Sequence, residues 1–396
     1  MALLFVSAVV AVEASAKTFR PTKLGDEPIS GDCLPSDCTL RDAVNEANTN
    51  PGADSIELKP GKTYRLSQVG TGEDTDVFGD LDVLEALHIK SGGRKPATID
   101  AQGIDRVLDT PGLTGRLTLE RLVITGGDAA PSAGGGLLAR GGTLRVVRSQ
   151  FRENQAVANY GGGLLVGGGT TATIIKSTFT RNEGEGGGLA VGPGSTATVL
   201  ASTVSRNRAG NGGGVFVGLG GDASFTATNS TIANNTASGS GGGLAAATNG
   251  TVALRSTTVA RNVANTGDTA QQGGGVAELS TGPIVLRNSI LALNRVAGTT
   301  GAGADCGFAG FAANAQSEGR NLVSDDENCG AVAGGPNLVA ANPKLGRLGR
   351  NGGPTETIGL KRGSKAIDRA SRQAPGRDQR GVKRDRKPDI GSFERE

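Results

Sequence analysis

The chain has 396 residues, a length that fits two or three globular domains or one continuous solenoid. Glycine takes 66 positions, Trp is absent and Tyr occurs twice, yet 36% of residues are apolar, so a core would consist of small and branched side chains rather than large rings. A net charge of +3 supplies no overall field for nucleic acid and points away from such a partner.

The apolar run Ala2 to Val12, followed by Ala14-Ser15-Ala16 ahead of Lys17, reads as a signal peptide over 1–16. The run is too short to span a bilayer, which takes roughly 20 apolar residues, and no later segment is long and apolar enough for a membrane helix. Export follows, with an extracellular or cell-surface location for the mature chain.

Next comes a candidate cap for the open end of a solenoid. Thr39 and Asp42 have capping-box spacing, and Leu40, Ala43, Val44 and Ala47 fall at i, i+3, i+4 and i+7, predicting a short helix with one apolar face. The acidic stretch Glu73, Asp74, Asp76, Asp80 and Asp82 follows. Hard oxygen ligands crowded this closely make Asp74, Asp76, Asp80 and Asp82 candidate calcium ligands, although the spacing is not an EF-hand; the competing reading is a solvated loop leading into a strand.

Between residues 134 and 294 one unit recurs six times. Each copy has a glycine triplet followed by Leu or Val, beginning at Gly134, Gly161, Gly186, Gly212, Gly241 and Gly273. Each also has Ser or Thr with Asn five residues on, giving Asn154, Asn182, Asn207, Asn235, Asn262 and Asn294. A unit of this length holds three short strands and their turns. Positions five and three before the Ser/Thr (Leu144 and Val146 in the first unit) and two after it (Phe151) are apolar in every unit. Side chains alternate across a strand, so the change of parity predicts a bend at the Ser/Thr.

This pattern predicts an all-β, single-stranded right-handed parallel β-helix with a short N-terminal capping helix. Stacking places like residues about 4.8 Å apart in internal ladders. The six Asn are expected to form one such structural ladder, each tolerating an unusual backbone angle and giving its amide to the next coil. The glycine triplets are not phosphate loops: none precedes Lys-Ser/Thr, and Gly61-Lys62-Thr63 has Ile56 where a nucleotide loop needs Gly. The segments are 1–16, a cap with first coils over 17–116, regular repeats over 117–300 and a closing module over 301–396.

The last segment is basic, with 15 Lys/Arg against 7 Asp/Glu from Lys344 onward, which reads as a solvated surface or as one that meets an acidic polymer. Four cysteines allow three connectivities. Because the solenoid lies between them, Cys33 is expected to pair with Cys38 and Cys306 with Cys329; metal ligation lacks CxxC spacing, and His88 is the only histidine.

Cys38-Thr39-Leu40-Arg41-Asp42-Ala43-Val44, with Asn45-Glu46-Ala47-Asn48 and Pro51-Gly52-Ala53-Asp54, resembles the CSLREA-type N-terminal motif of secreted bacterial right-handed β-helix proteins. Asn351-Gly352-Gly353-Pro354-Thr355, Ala366-Ile367-Asp368, Asp378-Gln379-Arg380-Gly381 and Asp389-Ile390-Gly391-Ser392-Phe393-Glu394 are similar to the choice-of-anchor Q domain. The resemblance implies export and a β-helix but no reaction. Members carry a sorting tail after the Ser-Phe-Glu stretch, whereas this sequence ends two residues beyond Glu394, so release or loose surface association is expected.

No catalytic centre is legible. A polygalacturonase-like site would place an Asp cluster with Gly-His-Gly, but His88 lies between Leu87 and Ile89; a pectate-lyase-like site would set an arginine beside calcium-binding Asp residues, and Arg152, Arg181, Arg206 and Arg261 lack such company in sequence. Few rings are available to stack on sugars. The expected function is therefore a non-enzymatic exported scaffold or adhesin-like protein contacting envelope polysaccharides or protein surfaces. No cofactor is expected unless calcium binds the acidic stretch, and oligomeric state is open. The alternative is an extracellular lyase or glycosidase, discriminated by a carboxylate or Arg/Lys cluster in one concave groove.

Overall fold

The computed structural model describes residues 15–396 except 30, 73, 266–272, 298–304, 309–314, 327, 331–335 and 341. The predicted signal peptide, apart from Ser15 and Ala16, lies outside the described residues, as does Glu73.

A single coil shows the plan. Thr143–Val147 lies in one sheet, Gln150–Arg152 in a second, Gln155–Tyr160 in a third and Leu164–Gly167 in a fourth, before Thr171–Ile175 returns to the first. All neighbours within these sheets are parallel, and the four contain 11, 11, 6 and 9 strands in that order. Sequence spacing anticipated three strands per unit. The third sheet is the addition: its strands are as short as Arg208–Ala209, and the polar Gln155, Glu183 and Arg208 give no apolar alternation.

Register follows the apolar ladders. Leu144 pairs with Ala172 and Val146 with Ile174 in the first sheet, while Phe151 pairs with Phe179 in the second. These two rings stack with centroids 4.9 Å apart, close to the strand spacing. The bend falls one residue before the Ser/Thr, where Arg148, Lys176, Ala201, Asn229, Ser256 and Asn288 have left-handed backbones. A second left-handed row, Glu153, Arg181, Arg206, Asn234, Arg261 and Leu293, precedes each Asn.

The Asn ladder runs through the interior. Asn154 Nδ2 donates to Asn182 Oδ1 at 3.1 Å, and the pattern repeats through Asn207, Asn235, Asn262 and Asn294. Each of these amides from Asn154 to Asn294 also donates to a backbone carbonyl one coil back along the chain, as Asn207 Nδ2 does to Phe179 O at 3.1 Å. Asp305 Oδ1 ends the row by accepting from Asn294 Nδ2. The glycine triplets turn the chain into the fourth sheet: Gly161 has φ +71°, and a Cβ on Gly162 would meet Glu183 O at 2.2 Å.

The helix Leu40–Thr49 caps one end. Its capping box is complete, and Leu40, Ala43, Val44 and Ala47 are buried. Both cysteine pairs, Cys33–Cys38 and Cys306–Cys329, are disulfides. No helix among the described residues is long and apolar enough to cross a membrane.

Residues 343–396 lie along the flank, against the outer face of the second sheet. Ile358, Leu360, Ala366 and Ile390 form an apolar layer with Ala233, Ala260, Ile290 and Ala292 of the coils. Gln379 is fully buried: Nε2 donates to Ser202 O and Thr203 Oγ1, and Oε1 accepts from Thr231 Oγ1. Ser392 meets Thr258 one coil further on.

Candidate functional site: a basic trough on the second sheet

The calcium candidates are held in an ion-pair network on the fourth-sheet side of the first coils. Asp76, Asp80 and Asp82 are buried and Asp74 is exposed. Arg41, itself fully buried on the capping helix, donates to both carboxylate oxygens of Asp26, to Gly79 O and Asp80 O at 2.8 Å, and to Asp76 Oδ1 at 3.3 Å. Arg106 Nε lies 2.7 Å from Asp80 Oδ2. Burial nevertheless pushes the Asp80 carboxyl up to about 8, and neighbouring Asp82, Asp105 and Asp109 add to the rise. Oxygens of Asp74, Asp82 and Asp109 lie within 4.8 Å of one another. Arg140 Nη2 is 2.8 Å from Asp74 Oδ1 and 2.7 Å from Asp109 Oδ2, so a guanidinium already bridges two of these three carboxylates. Sequence order hides Asp109, Arg106 and Arg140 because they come from later coils.

A second cluster had no counterpart among the predicted site residues. Where the outer face of the second sheet is free of the C-terminal segment, it forms a trough of about 410 Å³. Its floor carries Gln150, Thr178 and Thr180, and Arg148, Lys176, Arg181, Arg206 and Arg350 line it against one carboxylate, Glu356. Arg148 and Lys176 belong to the left-handed row on one edge, and Arg181 and Arg206 to the row on the other. A left-handed backbone costs an ordinary L-residue roughly 1–2 kcal/mol, a cost that Asn reduces. In later coils the same rows hold Asn229, Asn288 and Asn234 together with Ala201, Ser256, Arg261 and Leu293. Around the trough Arg148, Lys176, Arg181 and Arg206 carry long cations at these positions and Glu153 an anion, and along each row successive residues stand one strand spacing apart. Arg206 is paired with Glu356 and Arg181 sits 3.6 Å from Glu153; among the described residues Arg148, Lys176 and Arg350 make no ion pair. The sequence signal was the residue immediately before each Ser/Thr and each Asn.

Two other places lack such a surplus. A groove of about 440 Å³ on the third sheet contains Glu183, Glu185 and Arg208. Burial pushes the Glu185 carboxyl up, and its Oε2 accepts from the backbone N–H of Asn211, so Glu185 holds the turn of the next coil. His88, for which sequence offered no partner, has Nε2 3.3 Å from Glu120 Oε2 on the outer face of the first sheet, and burial lowers its pKa.

Residues 113–264 match a family described as "Right handed beta helix region". No curated protein matches the sequence. Among solved structures, the chain is similar to a crystal structure of pectate lyase Pel9A, with a TM-score of 0.54 and 15% identity over 97% of this chain and 98% of that one. At that identity the likeness concerns the fold. Together with the strand order, these findings make the chain a right-handed parallel β-helix.

Proposed function

We propose that this is an exported, non-enzymatic protein that binds an acidic polysaccharide in the trough of the second sheet. The observation that carries the reading is the surplus of cations there, five against one carboxylate, set along both edges of a polar floor. Arginine pairs with carboxylate or sulfate through two parallel hydrogen bonds, while floor hydroxyls and amides match sugar hydroxyls. A nucleic acid fits less well, since no aromatic ring lines the trough to stack on bases. Two disulfides suit an oxidising compartment outside the cell.

The same residues argue against hydrolysis, whereas an Arg/Lys cluster in a concave groove is the feature that favours the alternative, a polysaccharide lyase, and an assay for unsaturated products separates binding from elimination. Hydrolysis of a glycosidic bond uses two carboxyl groups flanking it. The trough has Glu356 alone, already bonded to Arg206, and the acidic network belongs to a different sheet.

Affinity electrophoresis through acidic and neutral polysaccharides at low salt tests the reading. The wild type is expected to be retarded by the acidic polymers alone, and R148E/K176E to lose at least about tenfold in affinity with its unfolding transition unchanged. Equal retardation of the variant, or no retardation of the wild type, would overturn the proposal. So would unsaturated or reducing-end products.

A further inference from the structure

We infer that the trough receives the end of a linear acidic polysaccharide chain and not its interior, because the protein's own C-terminal segment closes one end. This rests on the function proposed above and adds to it the part of the polymer recognised.

The cation rows fix the direction in which a polyanion lies. They run parallel to the solenoid axis, and Arg148 to Lys176 and Arg181 to Arg206 are each one coil apart, about 4.8 Å. A chain lying along the axis meets a new pair of edge positions at every coil. A chain crossing the sheet passes over strands of three residues, such as Thr178–Thr180, roughly 10 Å long, and meets cations only at entry and exit.

Along the axis the trough is open at one end only. Toward the N-terminal coils the outward Val123 and Thr125 of the adjoining strand keep 9% and 7% exposure, and Thr98 and Asp100 beyond them are partly exposed. In the other direction the strand after Thr178–Thr180 is Thr203–Ser205, whose outward side chains Thr203 and Ser205 are fully buried. The wall is built from backbone as well as side chains. Thr203 Oγ1 donates to Glu356 O at 2.6 Å, Thr355 Oγ1 donates to Ala201 O at 3.2 Å, and Gln379 Nε2 donates to Thr355 Oγ1 at 2.9 Å. Behind it, Gln379, Ser392 and the apolar layer cover the same face as far as Leu322. A polymer continuing along the axis would have to pass through this packed layer. Arg206 and Arg350 stand at the blind end, where the terminal acidic sugar would arrive.

The test counts proteins bound per polymer chain. Wild-type protein in excess is mixed at low salt with polygalacturonate fractions of short, intermediate and long chain length, and sulfated linear chains form a parallel set; complex mass is read by sedimentation. End recognition predicts the same small number of proteins per chain at every length. A count that rises in proportion to length overturns it while leaving the proposed function intact. Absence of binding at any length overturns both. A cyclic sulfated oligosaccharide, which has no end, is expected not to displace the bound linear chain, and displacement at equal charge concentration counts against end recognition. Tighter binding of a single-stranded oligonucleotide than of either saccharide also overturns the assignment.

Discussion

Arg206 Nη1 donates to Glu356 Oε2 at 2.5 Å and Nη2 to Oε1 at 3.2 Å, joining a corner of the solenoid to a residue 150 positions later. The pair lies at the blind end of the trough and is partly exposed, with side chains 36% and 27% accessible. Exposed pairs of this kind contribute about 0–1 kcal/mol. E356Q is therefore expected to leave the unfolding midpoint nearly unchanged while releasing Arg206 to the ligand. Its affinity for acidic polysaccharide should rise by a few fold and depend more steeply on salt, as measured by titration calorimetry at several ionic strengths.

Cations on other faces provide the control. Arg208 is exposed on the third sheet. R208Q should bind like the wild type, whereas R148Q and R181Q should each weaken binding several fold, and competition by added salt should become shallower with each. Equal effects of all three would mean that general charge, not the trough, retains the polymer.

The interior ladder makes a stability prediction. Asn207 donates to Phe179 O and Asn235 Oδ1, and its own Oδ1 accepts from the backbone and side-chain amides of Asn182. N207A strands those groups in a fully buried row, and leaving a buried polar group unsatisfied costs about 1–3 kcal/mol each. A loss of about 3 kcal/mol or more in chemical denaturation is expected, against little change for T178A on the trough floor.

Buried carboxyls set a pH dependence. Burial raises Asp80 to about 8 and Asp389 to about 6 from the ordinary 3.8, and it raises Asp105 and Asp109 as well. Above 3.8 and below these raised values the folded chain holds more protons than the unfolded one, so stability falls as pH rises through that window. His88, lowered by burial, acts in the opposite direction below its ordinary 6.5. The midpoint of thermal unfolding should therefore climb as pH is lowered from 8 to about 6.5. D80N should flatten the upper part of that climb.

Calcium meets a resident guanidinium. Because Arg140 bridges Asp74 and Asp109, added calcium is expected to raise the wild-type melting temperature little relative to a chelator. R140Q leaves the buried Asp109 without its closest cation and should be destabilised. Calcium should restore part of that loss through Asp74, Asp82 and Asp109, whose oxygens already lie together.

The repeat was legible because it couples chemistry to position every 25 to 32 residues: Phe151 and Phe179 mark the same inward site, and Asn154 and Asn182 the same turn. The capping helix was legible from Thr39 and Asp42, whose reciprocal bonds are local. Contacts that depend on the vertical register of coils were not. Asp109 and Arg140 face Asp74 only after stacking, and nothing in the spacing of Asp74 to Asp82 announces them. Arg181 and Arg206 lacked visible company in sequence because the wall that makes their neighbourhood concave comes from Thr355 and Glu356, folded back over the sheet.

The wall also makes the trough a gauge of repeat number. The C-terminal segment contacts the coils from Ala201 to Leu322, so its place on the sheet is fixed by those coils, the last of the stack included. Duplicating a unit upstream of Ser202 would extend the channel by one pair of edge positions without disturbing the seal. Duplicating one within the covered stretch would leave the channel as it is and force the segment to span an extra rung. Gain or loss of a unit upstream would therefore tune the length of acidic chain gripped, independently of the closure that decides which part of the chain enters.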